Sequence, residues 1–341
     1  MKILHIDNLM IRRYGKTKVA TGRKLFNGMI RNNYKVLEFS ERDIAKFEAP
    51  LGIKPLGLRA SNRKLVETAE NFSPDVILMG HCDIIKSETL KEIRRLLPDV
   101  KMIYRNVDPL WEERNVERIR YRMDTVDTIF VSTGGEHLKQ FCTGKNTVAF
   151  IPNPTDPCVE DQNNALKTSF ERDLVFCGVG SDSDDRYPFV KNLHEALDST
   201  LRFDSFGMHG KSAVWGREYD EVLATSKMGL NLNRFEGWDL YSSARISQLM
   251  GNGLLTFLWD KGNMRRLFND EQVAFFKDFD ELAAKAKAFH HDDARRQAVA
   301  GAGRAFYHEH FSGQRVVQFM VETALSMPYS HNYIWGGEVY R

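Results

Sequence analysis

A polar segment at residues 233–243 carries the side chains best suited to binding chemistry in this sequence. The apolar spacing that follows it, at Ile246, Leu249 and Met250, predicts a helix. Arg245, at the start of that helix, could bind a diphosphate through two N–H groups while the helix N-terminus adds positive charge; a structural salt bridge is its alternative role. Either Ser242 or Ser243 is expected to cap the helix. The candidate ligand contacts are Asn233, Arg234, Tyr241, Ser242, Ser243 and Arg245.

Two glycine-containing loops follow other predicted strands. Gly178 and Gly180 come after the apolar run 174–177, and Gly207 comes after 203–206. Glycines at such places let backbone N–H groups approach a pyrophosphate, although a tight turn explains them equally well. His209 in the second loop is a candidate ligand contact, with a surface histidine as the equal alternative.

Asp108 is the candidate general base. It follows the predicted strand 101–104, and ligands of open α/β sheets bind beyond the carboxyl ends of the strands. A carboxylate there can take the proton of a hydroxyl nucleophile. A helix N-cap or a salt bridge to Arg105 is the alternative role of this side chain.

No metal site is predicted from the sequence. Residues 182–184 spell the Asp-x-Asp of metal-dependent transferases, but they lie in a polar loop where solvated carboxylates are expected. The His-Cys-Asp at 81–83 is consecutive, so its side chains cannot easily converge on one ion. The four cysteines show no paired spacing and are interpreted as free thiols.

Apolar runs alternate with helical patterns along the chain, which predicts an α/β protein with parallel, doubly wound sheets. About six strands fall before residue 152, where a proline-rich stretch breaks the pattern. A second series of strands and helices begins near residue 173. The predicted organisation is a Rossmann-like domain at 1–155, a linker at 156–172, a second Rossmann-like domain at 173–312, and a C-terminal helix and tail at 313–341.

Several motifs of the second half occur in a characteristic order and spacing. They are a strand ending in Leu-Asn at 230–233, Arg245, a glycine turn at 251–253 leading into an apolar strand, a helix at 280–289, the stretch 295–311, and Arg315. In this order they resemble the nucleotide-binding half of GT-B glycosyltransferases, especially the CgeB-like or spore-protein-like branch. The resemblance covers residues 173–320 well and the N-terminal half only as a layout.

The resemblance implies two Rossmann-like domains facing each other across a cleft, with the C-terminal helix packing back on the first. The acceptor would bind mainly to the first domain and the nucleotide-sugar donor to the second. Arg186 fits the family's glycine-then-arginine pattern, and Glu236 resembles its sugar-contacting glutamate. Gln248 stands where the family usually has the carboxylate that binds the ribose hydroxyls. If the enzyme retains configuration, Asp108 would only position the acceptor.

The implied function is transfer of a sugar from a nucleotide-diphosphate sugar to a hydroxyl acceptor, in surface polysaccharide or lipopolysaccharide-type glycan assembly. No cofactor and no metal are expected, and UDP or GDP is the expected nucleotide of the donor. A sugar-nucleotide epimerase on the same scaffold is one alternative. A non-catalytic nucleotide- or glycan-binding protein is the other, because Gln248 departs from the family pattern.

The composition excludes some other classes of protein. With 48 basic and 46 acidic side chains, the net charge of +2 gives no reason to expect a nucleic acid partner. No apolar run reaches the roughly 18 residues of a membrane span, which predicts a cytoplasmic protein. One basic cluster indicates either a solvated surface or attraction to an anionic acceptor or the inner face of a membrane. Its members are Arg12, Arg13, Lys16, Lys18, Arg23 and Lys24.

Overall fold

The computed structural model describes residues 1–16, 20–197 and 200–341 of the chain. Contacts within the chain divide it into two compact units. Unit 1 consists of Met1–Pro154 together with Ser312–Arg341, and unit 2 is the continuous segment Thr155–Phe311. Lys18 of the basic cluster lies outside the described residues.

Seven strands form the sheet of unit 1. They are β1 (Lys2–Asp7), β2 (Lys35–Ser40), β3 (Val76–Met79), β4 (Lys101–Asn106), β5 (Thr128–Val131), β6 (Thr147–Phe150) and β12 (Val339–Tyr340). They lie in the order β12-β6-β5-β4-β3-β1-β2, and only β12 runs antiparallel to its neighbour. Strand β3, with the sequence VILM, is buried along its whole length, as expected for a parallel strand covered on both faces. The six predicted parallel strands of this half are therefore confirmed.

Helices connect and cover these strands. They are α1 (Ala20–Arg31), α2 (Glu41–Phe47), α3 (Leu58–Phe72), α4 (Ser87–Leu96), α5 (Glu113–Met123) and, from the end of the chain, α11 (Gly313–Ala324). Short 3-10 helices lie at Ile11–Arg13, Pro50–Gly52, Lys54–Gly57 and Glu136–Phe141. Helix α11 packs against α1, where a Cβ atom on Gly28 would overlap the carbonyl of Gly313. The predicted packing of the C-terminal helix on the N-terminal domain is thus confirmed.

The tail after α11 completes the sheet of unit 1. Phe319 on α11 contacts Trp335 with the ring centroids 5.6 Å apart. The Glu338 carboxylate accepts the backbone N–H of Gly135 at 2.8 Å, and β12 then pairs with β6. Because β12 covers β6, the tail closes what would otherwise be an edge of the sheet.

The sheet of unit 2 has five parallel strands. They are β7 (Arg172–Cys177), β8 (Phe203–Phe206), β9 (Ser226–Asn231), β10 (Leu255–Trp259) and β11 (Ala274–Phe276), in the order β11-β10-β9-β7-β8. Its helices are α6 (Arg186–Leu197), α7 (Arg217–Ala224), α8 (Ala244–Gly251), α9 (Phe279–His291) and α10 (Asp293–His310). The predicted α/β class with two parallel sheets is confirmed, although β11 was not predicted.

Side-chain caps set where several helices begin. Asp278, Asp292 and Ser312 precede α9, α10 and α11, and each accepts the backbone N–H of the third residue after it. Such a cap satisfies a helix N–H group that has no partner within the helix. A single polar residue in the sequence therefore fixes the start of each of these three helices.

Residues 156–172, the predicted linker, lie within unit 2 and are held there by buried polar contacts. The side-chain amide of Asn164 donates to the backbone carbonyls of Leu223 and Ser226 at 2.7 and 2.8 Å. The guanidinium of Arg296, which is fully buried, donates to the carbonyl of Asn164 at 2.9 Å. These bonds attach the segment to the start of β9 and to α10.

Candidate functional site

The strand order of unit 2 reverses between β7 and β9, and Arg245 lies at this point. Its Nε donates to the carbonyl of Cys177 at the end of β7, at 2.8 Å. Its Nη1 donates to the carbonyl of Leu232 and to Oδ1 of Asn231, at 2.9 and 3.1 Å. The guanidinium also lies over the ring of Phe176, 5.0 Å from the centroid. Arg245 therefore joins the carboxyl ends of two strands where ligands of α/β sheets bind.

These bonds limit what Arg245 can offer to a ligand. Among the described residues, Nη2 has no protein acceptor, so it is the guanidinium nitrogen left for a ligand. A Cβ atom on Gly178 would lie only 3.2 Å from Nη2. Glycine at this position therefore keeps the space beside Nη2 open. Burial lowers the pKa of Arg245, because the charge is removed from water.

Arg186 and Arg234 both contact Asp184. Arg186 donates to the Asp184 carboxylate through Nε at 2.9 Å and Nη2 at 2.5 Å, and Nη2 also donates to the carbonyl of Val179. Nε of Arg234 donates to the same carboxylate at 3.3 Å. Burial alone would raise the pKa of Asp184, but these bonds and charges lower it below its usual value. Asp184 is therefore an ion-pair partner of two arginines and not the solvated carboxylate that the sequence predicts.

Glu236 folds the loop after β9 back on itself. Its carboxylate accepts the backbone N–H of Asn233 at 2.6 Å and the side-chain amide of Asn233 at 3.2 Å. Burial raises the pKa of Glu236, while the N–H groups of Asn233 and the charges of Lys261 and Arg245 oppose that rise. Glu236 therefore stabilises the conformation of the loop.

A cavity of about 470 Å³ opens beside this loop. Its walls carry aromatic rings and more cations than carboxylates: Arg186, Arg234 and Lys261 line it together with Asp185 and Glu236, and Phe189 and Trp259 are among its aromatic residues. Lys261 lies over the ring of Trp259, 4.2 Å from the centroid. A larger cavity of about 560 Å³ lies elsewhere in unit 2, but its three glutamates outnumber its two cations, Arg172 and Lys211, which suits an anionic ligand poorly. The smaller cavity is therefore the candidate site for a phosphate-bearing ligand.

The glycine loops do not present their N–H groups in the predicted way. The N–H of Gly178 donates to the carbonyl of Phe206 at 2.9 Å, and that of Gly180 donates to the carbonyl of Gly207 at 3.3 Å. Gly207 itself has a positive φ of 91°, and its N–H donates to the carbonyl of Lys211. The expectation that these N–H groups bind a pyrophosphate is corrected, because they hold the two loops together. Glycine is required here for close packing: a Cβ on Gly207 would lie 2.8 Å from the carbonyl oxygen of Gly178.

His209 is held against α6. Its ring lies 3.9 Å from that of Tyr187, centroid to centroid, and its Nε2 lies 2.9 Å from the carbonyl oxygen of Tyr187. These contacts fix the imidazole on the protein surface near the first loop.

Residues at the start of α8 differ in detail from the prediction. Ser243 occupies the N-cap position, but its Oγ donates to Oδ1 of Asn231 at 2.8 Å and makes no cap bond. Ser242 is buried and hydrogen-bonds the hydroxyl of Tyr307. Tyr241 is half-buried, and its backbone N–H donates to the carbonyl of Trp238. The serine cap predicted for α8 is therefore wrong, because the strand end competes for the hydroxyl.

Gln248 lies on α8 with its side chain already engaged. Its Oε1 accepts the hydroxyl of Tyr219 on α7 at 2.8 Å. In the described part of the chain its amide nitrogen has no side-chain or backbone acceptor, so it remains as a donor for a ligand. The sequence offered no sign of Tyr219, because it lies on another helix.

Asp108 lies in unit 1, just past β4. Its Oδ2 is 3.5 Å from Nη1 of Arg118 and 3.9 Å from Nδ1 of His81, and the carboxylate is half-buried. Neither predicted alternative holds: α5 is preceded by Glu112, and Arg105 pairs instead with Asp7 at 2.6 Å. A carboxylate between an imidazole and a guanidinium can orient the imidazole or accept a proton itself.

No group of three or more histidine, cysteine, aspartate or glutamate side chains in the described ranges is placed to hold a metal ion. No helix in those ranges is both long enough and apolar enough to cross a bilayer.

Solved structures resemble this fold over nearly its whole length. Anabaena HepE, in complex with UDP-glucose, aligns with a TM-score of 0.60 at 14% identity, covering 96% of this chain and 100% of that one. AviGT4, a glycosyltransferase involved in avilamycin A biosynthesis, gives 0.58 at 12% identity over 100% of both chains. Sucrose-phosphate synthase from Thermosynechococcus elongatus gives 0.57 at 11% identity, covering 96% of this chain and 99% of that one. At such identities the likeness shows the fold alone.

Sequence comparison gives a more local result. Residues 176–322 match the family described as glycosyl transferase-like. This segment contains every candidate contact of unit 2, from Gly178 to Gln248. The sequence matches no curated protein.

Proposed function

We propose that this protein transfers a sugar from a nucleotide-diphosphate sugar to a hydroxyl group, because residues 176–322 match the glycosyl transferase-like family and the chain has the fold of GT-B glycosyltransferases. The cavity at the carboxyl ends of β9 and β10 carries the proposal. Three cationic side chains, Arg186, Arg234 and Lys261, line it. Guanidinium and ammonium groups in a partly enclosed site stabilise a diphosphate strongly.

The donor site we propose has two parts. Arg245 fixes the ends of β7 and β9 and offers Nη2, and the first turn of α8 adds N–H groups that Ser243 does not cap. The ribose would then lie near Gln248, whose amide nitrogen is the available donor. We propose UDP as the nucleotide, with GDP as the alternative, and the UDP-glucose complex of HepE supports the first choice.

Departure of the nucleotide diphosphate places negative charge on its terminal phosphate. Side chains lining the cavity can stabilise that charge as it develops, so the proposed reaction is metal-independent. We propose that unit 1 supplies the acceptor groups and that Asp108, with His81 beside it, takes the acceptor proton if the reaction inverts configuration. If it retains configuration, Asp108 would position the acceptor.

The experiment is titration calorimetry with UDP, GDP and NAD. The double variant Arg234→Ala/Lys261→Ala should bind UDP about tenfold or more weakly than the wild type, since each lost charge contact contributes about 1 kcal/mol or more. Lys277→Ala is the matched control, because Lys277 is exposed on the same unit outside the cavity. Binding of NAD alone, or equal UDP affinity in the double variant, would refute the donor site.

Product analysis separates the remaining alternatives. Formation of a new nucleotide sugar without any acceptor would favour an epimerase. Nucleotide binding without turnover, across acceptors of surface polysaccharide and lipopolysaccharide type, would favour a binding protein. Under the transferase proposal, Asp108→Asn should lower transfer by about a hundredfold or more with UDP affinity unchanged, which is the usual size of a general-base effect.

A further inference from the structure

Six large apolar side chains of unit 1 are exposed in the neighbourhood of α2. We name them the apolar tip cluster: Ile11, Tyr14, Phe47, Leu51, Ile53 and Leu56. Leu51 is 96% exposed and Tyr14 is 86% exposed, so neither side chain contributes to the core. Single exposed apolar residues are ordinary on protein surfaces, whereas a contiguous group marks an interaction site.

Specific contacts hold the segments of this cluster together. The backbone N–H groups of Ile11 and Arg12 donate to the buried carboxylate of Asp43 on α2, at 2.8 and 3.2 Å. The guanidinium of Arg12 lies over the ring of Phe47, 5.5 Å from the centroid. These bonds attach the 3-10 helix Ile11–Arg13 to α2.

The two later 3-10 helices join the same surface. A Cβ atom on Gly52 would lie 3.6 Å from Nη1 of Arg12, and one on Gly57 would overlap the carbonyl of Ala45 on α2. The stretches 11–14, 47–53 and 54–57 therefore form one packed body, and their apolar side chains project from neighbouring turns.

Positive charge surrounds the apolar tip cluster. Arg13, Lys16 and Arg59 are exposed, and Arg12, Lys46 and Lys54 are half-buried. Three carboxylates occur between residues 41 and 59, and of these only Glu48 is exposed, since Glu41 and Asp43 are buried. The surface therefore combines apolar tips with a basic margin.

The combination of exposed apolar side chains and a basic margin indicates which kind of partner binds this surface. The apolar side chains project from turns, so they suit a soft phase into which they can insert. Nucleic acid would use the charges but would give no gain from burying Leu51 or Phe47. An anionic lipid bilayer satisfies both, because its headgroups attract lysine and arginine and its acyl boundary takes up apolar side chains.

We propose that the apolar tip cluster and its basic margin form a surface that docks unit 1 on an anionic lipid bilayer. Phe47 and Leu51 insert at the headgroup boundary, while Arg13 and Lys16 contact lipid phosphates. This inference does not rest on the proposed sugar transfer, because it uses none of the residues of the donor site.

The experiment is flotation of the full chain with two sets of vesicles, one of neutral phosphatidylcholine and one containing about a third anionic phosphatidylglycerol. The wild type should float with the anionic vesicles, and raised salt should weaken this binding. Phe47→Ser/Leu51→Ser should weaken it about tenfold or more, since several buried methylene groups are lost. Arg13→Ser/Lys16→Ser should weaken it by about fivefold for each charge on anionic vesicles only.

The matched control is Leu166→Ser/Trp215→Ser, which removes two side chains of unit 2 that are 76% and 60% exposed. This variant should float like the wild type. Tyr14→Trp adds a second readout, because its fluorescence should shift to shorter wavelength when anionic vesicles are added. Unchanged melting temperature and far-ultraviolet circular dichroism in every variant would show that the fold is intact.

Three results would overturn the proposal. The first is no flotation with anionic vesicles. The second is flotation that the control variant loses as much as Phe47→Ser/Leu51→Ser does. The third is self-association in light scattering that Leu51→Ser abolishes while vesicle binding is absent, which would assign the cluster to a second copy of the chain.

Discussion

Each unit places an arginine at the carboxyl ends of its central strands, but the two arginines have different kinds of partner. Arg105 of unit 1 is buried and pairs with the Asp7 carboxylate at 2.6 Å. Arg245 of unit 2 donates to backbone carbonyls and to one amide oxygen, and no carboxylate pairs with it in the described part of the chain. Unit 1 thus neutralises its charge internally, whereas unit 2 surrounds the charge of Arg245 with neutral oxygen acceptors.

Glycines strengthen this contrast. A Cβ atom on Gly80 would overlap both the guanidinium of Arg105 and the carboxylate of Asp7, so the ion pair of unit 1 is closed in on that side. In unit 2 the glycine nearest the arginine, Gly178, leaves room beside Nη2. The same kind of strand edge can therefore serve as a structural ion pair or as an anion site, depending on what faces the arginine.

The largest effect on stability should come from replacing Asp7, the buried anionic partner of Arg105. Asp7→Asn leaves Arg105 buried without a charged partner, and we expect it to lower the free energy of unfolding by about 3–5 kcal/mol. Urea denaturation measures this. Asp83→Asn is the control, since its pairs with Arg42 and Arg118 are partly exposed and should contribute below about 1 kcal/mol. Equal losses of unfolding free energy in the two variants would mean that the buried pair with Arg105 contributes no more than a partly exposed pair.

A pH dependence should follow from Glu41, a buried carboxylate of unit 1. Burial raises the pKa of Glu41 to about 7 from an ordinary value of 4.5, although the N–H of Ile84 and the charge of Arg42 oppose the rise. A raised folded-state pKa gives stability that is complete below pH 4.5 and is lost as the pH rises through about 7. The free energy of unfolding should therefore fall by up to about 3 kcal/mol across this window.

Glu41→Gln tests this assignment, because it keeps an oxygen for the N–H of Ile84 and cannot ionise. Denaturation at several pH values should show that the decline between pH 4.5 and 7 is reduced in the variant. Asp7 acts in the opposite sense: burial alone would raise the pKa of Asp7, but Arg105 and His5 lower it, so its contribution is present above about pH 4 and is lost on acidification. An unchanged slope in Glu41→Gln would contradict the assignment.

A third prediction concerns Arg245. Arg245→Met removes the bonds to the ends of β7 and β9, and we expect it to lower the free energy of unfolding by about 2 kcal/mol and UDP affinity at least tenfold. Arg265→Met, at an exposed pair with Asp260 and Asp270, should change stability by less than about 1 kcal/mol and leave UDP affinity unchanged. A loss of stability without a loss of affinity would make Arg245 purely structural.

The smallest effect should come from Gln248. Gln248→Glu retains the acceptor for the Tyr219 hydroxyl and adds the charge usual in the resembling family. If the ribose binds there, UDP affinity should rise about threefold to tenfold, as for a hydrogen bond that becomes charge-assisted. Tyr219→Phe, which frees the amide, is the companion variant. Calorimetry that shows no change in either variant would place the ribose elsewhere.

Much of the fold follows from local pattern. Runs such as VILM at 76–79 predict buried parallel strands because both faces of the sheet are covered, and the sequence predicts ten of the twelve strands found in the described residues. The other two, β11 and β12, have three and two residues, too few to show a period. Helix α2 was missed because its seven residues lie between two stretches that read as strand and loop.

The site was less predictable, since its contacts are tertiary. Asp7 and Arg105 are separated by 98 residues, so no spacing in the sequence relates them. The glycines after β7 and β8 were recognised, but their pattern does not reveal which carbonyl each N–H finds. The sequence places Asp184 in solvent because it does not show that the side chain of Arg186 turns back to this carboxylate or that Arg234 approaches it from a loop 50 residues away. The predicted donor contacts remain predictions until a nucleotide is bound.

The division of unit 1 by unit 2 has a consequence for biosynthesis. Residues 312–341 supply α11, which packs on α1, and β12, which covers β6. A ribosome delivers these residues only after all of unit 2 has been made. The nascent chain therefore carries an N-terminal sheet with a bare helix face and an unpaired edge while the uninterrupted second unit folds. Although domains generally fold in order of synthesis, here the unit that begins first must finish last.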